Sequence, residues 1–183
     1  PRGANQIGGI FKTVDGGDNW FRQDSATYNT SSSFANVVFF WDENTGFAQG
    51  DPINGEFELY VTDDGGDNWI QVPGSNIPNP LGGEYGYTRQ IEISGNNVWF
   101  TTNKGRIYKS SDKGNNWLVY QSPIDDFGSA EVNGNISFSD SQNGILVDNN
   151  ANVYKSFDGG SSWEVLTPNG PVFTSGLCYI EGT

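Results

Sequence analysis

Short runs in which apolar and polar residues alternate carry most of the chain, and clusters of Gly, Asn, Asp and Ser separate them. Val153-Tyr154-Lys155-Ser156 is one such run. A period of two bounded by turn residues predicts short strands, not helices. The runs fall into groups of four. The first full group is 35–40, 47–50, 56–62 and 69–72. The second is 89–94, 98–102, 106–110 and 117–120, and the third is 136–138, 144–147, 153–156 and 163–166. Ahead of them stands a two-run hairpin, 9–13 with 20–22, and behind them 172–180 reads as the first strand of another group. The predicted organisation is a partial unit at 1–22, full units at 35–72, 86–120 and 135–167, and the start of a further one at 172–183.

One turn recurs before the last strand of every group. It contains Thr13, Asp15, Gly17 and Trp20, then Thr62, Asp64, Gly66 and Trp69, then Ser110, Asp112, Gly114 and Trp117, and finally Ser156, Asp158, Gly160 and Trp163. The tryptophans are 49, 48 and 46 residues apart. A self-similar period of that size means stacked supersecondary units, none of which buries its apolar face alone. Each fixed position has a physical task. Asp accepts hydrogen bonds from backbone N–H groups of the turn, Gly supplies a positive φ, and Trp covers the turn with a large apolar face. Turn chemistry accounts for the four Asp residues without a catalytic or metal-binding role.

This pattern resembles the Asp-box, or bacterial neuraminidase repeat, and the likeness extends over nearly the whole chain. The resemblance implies an all-β fold, a β-propeller of four-stranded antiparallel blades, with the box on an outer hairpin far from the ligand face. Such repeats occur in sialidases, xyloglucan-degrading glycoside hydrolases, sortilin-type receptors and photosystem II assembly factors. They mark fold and not chemistry. The strand count gives about three and three-quarter blades, fewer than a self-closed ring ordinarily holds. A fragment of a larger ring is therefore expected, its open edges meeting the remaining blades or a second copy of the chain.

Composition narrows the chemistry. The 183 residues carry a net charge of −13 with no histidine, so nucleic acid is not an expected partner. Without histidine, Ser-His-Asp and Cys-His catalysis within this chain is excluded, and carboxylates are left as acid/base candidates. No apolar run has spanning length, so membrane insertion is not expected. The lone Cys178 lies in an apolar run and reads as a buried thiol that forms no internal disulfide. No cofactor is expected. Calcium stays open as an alternative, because Asp42-Glu43-Asn44 and Asp148-Asn149-Asn150 offer oxygen ligands without the spacing of an EF-hand.

Antiparallel blades put the connections between blades and the second-to-third strand turns on one face, and the repeated Asp turns on the other. The candidate ligand face gathers Asp51, Glu84, Tyr85, Tyr87, Arg89, Asp125, Asp126 and Asp148, with Glu131 and Tyr28 nearby. The loop 73–88 is the longest specialised insertion, stiffened by Pro73, Pro78 and Pro80 and bent at Gly82-Gly83. A sialidase would need three convergent arginines, and the chain has only Arg2, Arg22, Arg89 and Arg106, the last in an outer strand. The expected function is a non-catalytic binding or scaffold module, with protein or carbohydrate as ligand. The resemblance to secreted bacterial and photosystem II assembly factor-type propellers implies a secreted or cell-surface location. The alternative is a carboxylate-dependent glycoside hydrolase, xyloglucanase-like or sialidase-like, lacking part of its ring.

Overall fold

The computed structural model describes residues 8–28, 30–128, 134–172 and 177–178. Among these residues fourteen strands run in chain order. They are β1 (Phe11–Lys12), β2 (Phe21–Arg22), β3 (Ala35–Phe40), β4 (Gly46–Ile53), β5 (Glu56–Thr62), β6 (Ile70–Gln71), β7 (Gly86–Ser94), β8 (Asn97–Thr102), β9 (Arg106–Ser110), β10 (Leu118–Gln121), β11 (Gly134–Phe138), β12 (Gly144–Asp148), β13 (Val153–Ser156) and β14 (Glu164–Leu166). β1 and β2 pair as a hairpin, and the rest form three sheets ordered β3-β4-β5-β6, β7-β8-β9-β10 and β11-β12-β13-β14. Every neighbouring pair is antiparallel. Sequential four-stranded meanders of this kind are propeller blades. The single helical element among the described residues is a 3₁₀ turn at Gly74–Asn76, and no helix there is long and apolar enough to cross a membrane.

The chain separates into two compact units, residues 1–80 with 113–116 and residues 81–112 with 117–183. In the first, Ile10, Ala26, Tyr28, Ala48, Tyr60 and Trp69 form a buried cluster between the hairpin and the first sheet. The alternation of side chains along β4 and β5 puts Ala48 and Tyr60 on that side, and their Cα atoms pair directly. In the second unit Trp99, Ile107, Ile124, Phe127, Phe138 and Leu146 fill the space between the two sheets. Trp99 stacks on Phe138 with ring centroids 4.1 Å apart, and its indole N–H donates to the Gly159 carbonyl at 2.9 Å. That bond satisfies the one polar group of a fully buried side chain.

The repeated turns are hydrogen-bonded alike. The Thr13 hydroxyl donates to Asp15 Oδ1 at 2.8 Å and accepts from Gly17 N at 2.9 Å. Asp15 in turn accepts from Asn19 N at 3.0 Å and from Asn19 Nδ2 at 2.6 Å. Thr62, Asp64, Gly66 and Asn68 repeat these bonds at 2.9, 3.0, 2.9 and 2.7 Å. Ser156, Asp158, Gly160 and Ser162 do so at 2.9, 2.8, 2.9 and 2.6 Å. In the third turn Ser110 Oγ donates to Asp112 Oδ1 at 2.8 Å. These carboxylates are occupied by their own turns.

Three expectations from sequence meet differences. Strand β4 runs on through Asp51 to Ile53, where a loop over 50–55 was expected. A register shift between Gln49 and Pro52 absorbs the proline as a bulge, and the connection contracts to Asn54-Gly55, both at positive φ. Strand β7 begins at Gly86, three residues before the expected 89. Cys178 is exposed, not buried, because residues 177–178 belong to no strand. The strand expected over 172–180 otherwise lies outside the described residues.

Candidate functional site

Within the second unit, three segments meet at one end of the β7–β10 sheet. They are the approach to β7 at 81–87, the β8–β9 turn at 103–105, and the segment 122–128 that follows β10. Glu84 holds the first segment down. Its side chain is fully buried, accepts from Arg106 Nη1 at 2.7 Å and Thr102 Oγ1 at 2.7 Å, and takes the backbone N–H of Leu81 at 2.7 Å. A buried carboxylate is tolerable only with such compensation. Beside it the Tyr108 hydroxyl has its pKa raised, chiefly by burial and then by the Glu84 charge. Glu84, expected as a ligand-contacting carboxylate, is thus a buried anchor with both oxygens engaged.

Asn103 completes the clamp. Its Oδ1 accepts from Tyr85 N at 2.8 Å, its Nδ2 donates to the Gly83 carbonyl at 3.0 Å, and its backbone N–H donates to the Tyr85 carbonyl at 3.2 Å. The β8–β9 turn is itself fixed against the third segment. Gly105 sits at φ +63°, and a Cβ there would stand 1.9 Å from the Ile124 carbonyl oxygen. Only glycine satisfies both conditions. Residues 83–85 are consequently a pinned strip, not a free loop.

The strip displays an aromatic pair. Tyr85 is 43% exposed, and its ring meets that of Tyr87 edge to face with centroids 5.4 Å apart. The Tyr87 hydroxyl donates to Asp126 Oδ1 at 2.6 Å, which also accepts from Gly128 N at 2.9 Å. Burial, followed by the bond to Asp126, drives the Tyr87 hydroxyl pKa far above the ordinary phenol value. The hydroxyl stays protonated as the donor to Asp126. A Cβ at Gly128 would lie 2.2 Å from the Tyr87 ring, so the third segment packs directly under that tyrosine. Leu81 and Asp125, in the first and third of these segments, are exposed.

The other candidate residues stand apart from this cluster. Asp148 is buried in the β12–β13 turn, accepting from Asn150 N, Asn152 N and Asn152 Nδ2 at 2.8–2.9 Å, so its carboxylate is spent on turn geometry. Asp51, in the first unit, is a half-buried strand residue that accepts from Asn36 Nδ2 at 2.7 Å. Arg89 lies on β7, and Glu131 lies outside the described residues. Asp42, considered for calcium, accepts from Asn44 N at 2.9 Å and Thr45 N at 2.7 Å, with Lys113 Nζ 3.6 Å from its other oxygen. Among the described residues no three His, Cys, Asp or Glu side chains group as a metal site. Sequence reasoning missed Asn103 and Arg106. The Asn103-Lys104-Gly105 turn signal marks a hairpin without revealing what the asparagine reaches.

No curated protein matches the chain. Among solved structures it resembles YCF48 from Cyanidioschyzon merolae, with 19% identity over 73% of this chain and 37% of that one, at a TM-score of 0.48. A structure of YCF48 bound to D1 peptide gives 17% identity over 75% and 41%, at 0.49. The GH74 enzyme of Niastella koreensis gives 15% identity over 88% and 27%, at 0.60, a likeness of fold alone. The chain spans less than half the length of each of these proteins. Its successive four-stranded meanders and the likeness to the GH74 enzyme give it the architecture of a β-propeller. The family described as Photosynthesis system II assembly factor YCF48 matches residues 3–131, well over half of the sequence, and the chain belongs to that family.

Proposed function

We propose that the chain is a non-catalytic protein-binding module of a secreted or cell-surface bacterial propeller protein, docking a segment of a partner on the strip 81–87. The observation that carries this reading is the clamp of Glu84 and Asn103, which holds Tyr85 half out of the surface on a rigid support. A preorganised exposed tyrosine gives contact area at low entropic cost, and tyrosine is enriched among residues that dominate interfaces. An assembly factor, for which the family is named, works by contact with other proteins, in keeping with this reading.

Charge defines the partner segment further. Asp126 is bonded to Tyr87, the exposed Asp125 precedes it, and the chain has a net charge of −13, so a segment with basic and apolar side chains is complementary. Selection from a random peptide display library against the chain tests the proposal. Enriched peptides should be basic and apolar, and Tyr85→Ala should weaken their binding at least about ten-fold, equivalent to about 1.4 kcal/mol. Asp15→Asn should leave it unchanged. Peptides that bind Tyr85→Ala as well as the unaltered chain would refute it.

A further inference from the structure

The third of the repeated turns departs from the others at one position. Gly16, Gly65 and Gly159 sit at φ +77°, +73° and +75°, and Lys113 takes the same place at φ +57°. Glycine enters that region freely, whereas a residue with a side chain is strained there. The strained residue is held by its side chain. Lys113 Nζ lies 5.8 Å from the centroid of the Trp41 ring and 3.6 Å from Asp42 Oδ2, so one ammonium meets both an aromatic face and a carboxylate. Residues 113–116 belong to the first unit, as do Trp41 and Asp42. There a Cβ on Gly114 would stand 2.9 Å from the Phe47 ring, and the Asn115 carbonyl accepts from Asn76 Nδ2 at 3.2 Å.

At the turns of Gly65 and Gly159 a lysine arrives from the preceding repeat. The residue before the first hydroxyl residue of each repeat is Lys12, Val61, Lys109 and Lys155. Within the first unit, Lys12 reaches the next repeat's turn, donating to Asp67 Oδ1 at 2.5 Å with Nζ 3.7 Å from the place of a Cβ on Gly65. Within the second unit, Lys109 does likewise. Its Nζ donates to the Ser141 carbonyl at 2.7 Å and lies 1.9 Å from the place of a Cβ on Gly159. The acceptors differ, a carboxylate in one case and a carbonyl in the other. What the two share is the ammonium beside the glycine. The turn of Lys113 follows Val61, which has no ammonium to send, and Val61 Cγ1 lies 3.4 Å from the place of a Cβ on Gly114. Lysine before the turn goes with glycine in it, and valine before the turn goes with lysine in it.

We infer that positions 61 and 113 are an exchangeable pair, and that Lys113 is a latch supplying from within the turn the ammonium that its counterparts receive from the preceding repeat. The two sources exclude each other. In the second unit the Lys109 ammonium occupies the space that a side chain on Gly159 would enter, so a lysine sent to a turn and a side chain at its glycine place compete for one volume. The strain at Lys113 is retained for contacts with Trp41 and Asp42 that glycine cannot make. Those contacts hold residues 113–116 in place on the first unit.

Urea denaturation of the 183-residue chain in a double-mutant cycle tests this. The factor by which Val61→Lys lowers the folding equilibrium constant should be at least about ten-fold larger with Lys113 in place than with Lys113→Gly beside it. Lys113→Met separates crowding from charge repulsion, because methionine keeps a long side chain and loses the ammonium. Val61→Lys should stay as costly beside Lys113→Met as beside Lys113. The latch has its own readout: Trp41→Leu leaves the turn unaltered, and it should speed amide hydrogen exchange at residues 114–116 about ten-fold while leaving residues 158–162 unchanged. A Val61→Lys chain that does not fold should regain its fold on adding Lys113→Gly. Equal costs of Val61→Lys with and without Lys113→Gly, a cost that vanishes beside Lys113→Met, or exchange at 114–116 that Trp41→Leu does not move would each overturn the inference.

Discussion

The turn at Thr13–Trp20 and the turn at Thr62–Trp69 share seven of eight residues and the same hydroxyl, carboxylate and asparagine bonds, yet their tryptophans have opposite fates. Trp20 is 59% exposed, whereas Trp69 is 4% exposed. Trp69 packs edge to face on Phe40 at 5.8 Å, and its backbone N–H donates to Ser25 Oγ at 2.9 Å. Trp20 donates its indole N–H to the Gly17 carbonyl of its own turn at 3.0 Å. Geometry of the turn is therefore local, written in the octapeptide. Burial of the tryptophan is supplied by strands distant in sequence.

The largest expected contrast follows directly. Trp69→Ala should destabilise by about 3–5 kcal/mol, as truncation of a buried tryptophan does, and Trp117→Ala should behave alike because Trp117 is equally buried against Phe100. Trp20→Ala should cost under about 1 kcal/mol. Urea denaturation of the dilute chain measures all three. Equal losses at positions 20 and 69 would break the comparison.

Glycines sharpen it at smaller scale. Gly16 and Gly65 sit at φ +77° and +73°, so alanine is strained by about 1 kcal/mol at either. A Cβ at Gly65 would also stand 2.9 Å from the Glu43 carbonyl oxygen, whereas Gly16 faces open space. Gly65→Ala should accordingly lose about 2–3 kcal/mol against about 1 for Gly16→Ala. The same denaturation series decides it.

What the sequence discloses divides along the same line. Strands β5, β9 and β13 end at Thr62, Ser110 and Ser156, the residues with which the repeated turn begins, so their boundaries are legible in the motif. The predicted strands 47–50 and 56–62 leave Asp51 in the connection between them, while a bulge lets the strand continue through Pro52. Glu84 is a ligand candidate on sequence because it falls in the long connection 73–88. Its burial depends on Arg106 and Thr102, 22 and 18 residues further on, and no local pattern encodes that pairing. Tyr85 and Tyr87 were legible as loop aromatics. Their support by Asn103 and Asp126 was not.

The smallest effect should be no difference at all. Asn19 and Asn68 backbone N–H bonds, then their side-chain amides, hold the Asp15 and Asp64 carboxyls down to about 2 from an ordinary 3.8. A depressed folded-state pKa contributes stability that is present above the ordinary value and lost as pH falls toward 2. Both aspartates should therefore titrate together near pH 2 in carboxyl ¹³C spectra. Separated midpoints would mean that the turn is not local after all.

The most direct test of that locality is ¹⁹F NMR of the chain labelled with 5-fluorotryptophan, assigned by single Trp→Phe variants and run dilute in H₂O and in D₂O. The account predicts a large solvent isotope shift at Trp20 and almost none at Trp69 and Trp117, with the turn amides of Gly17 and Gly66 keeping matching chemical shifts. Equal isotope shifts at Trp20 and Trp69 would contradict it.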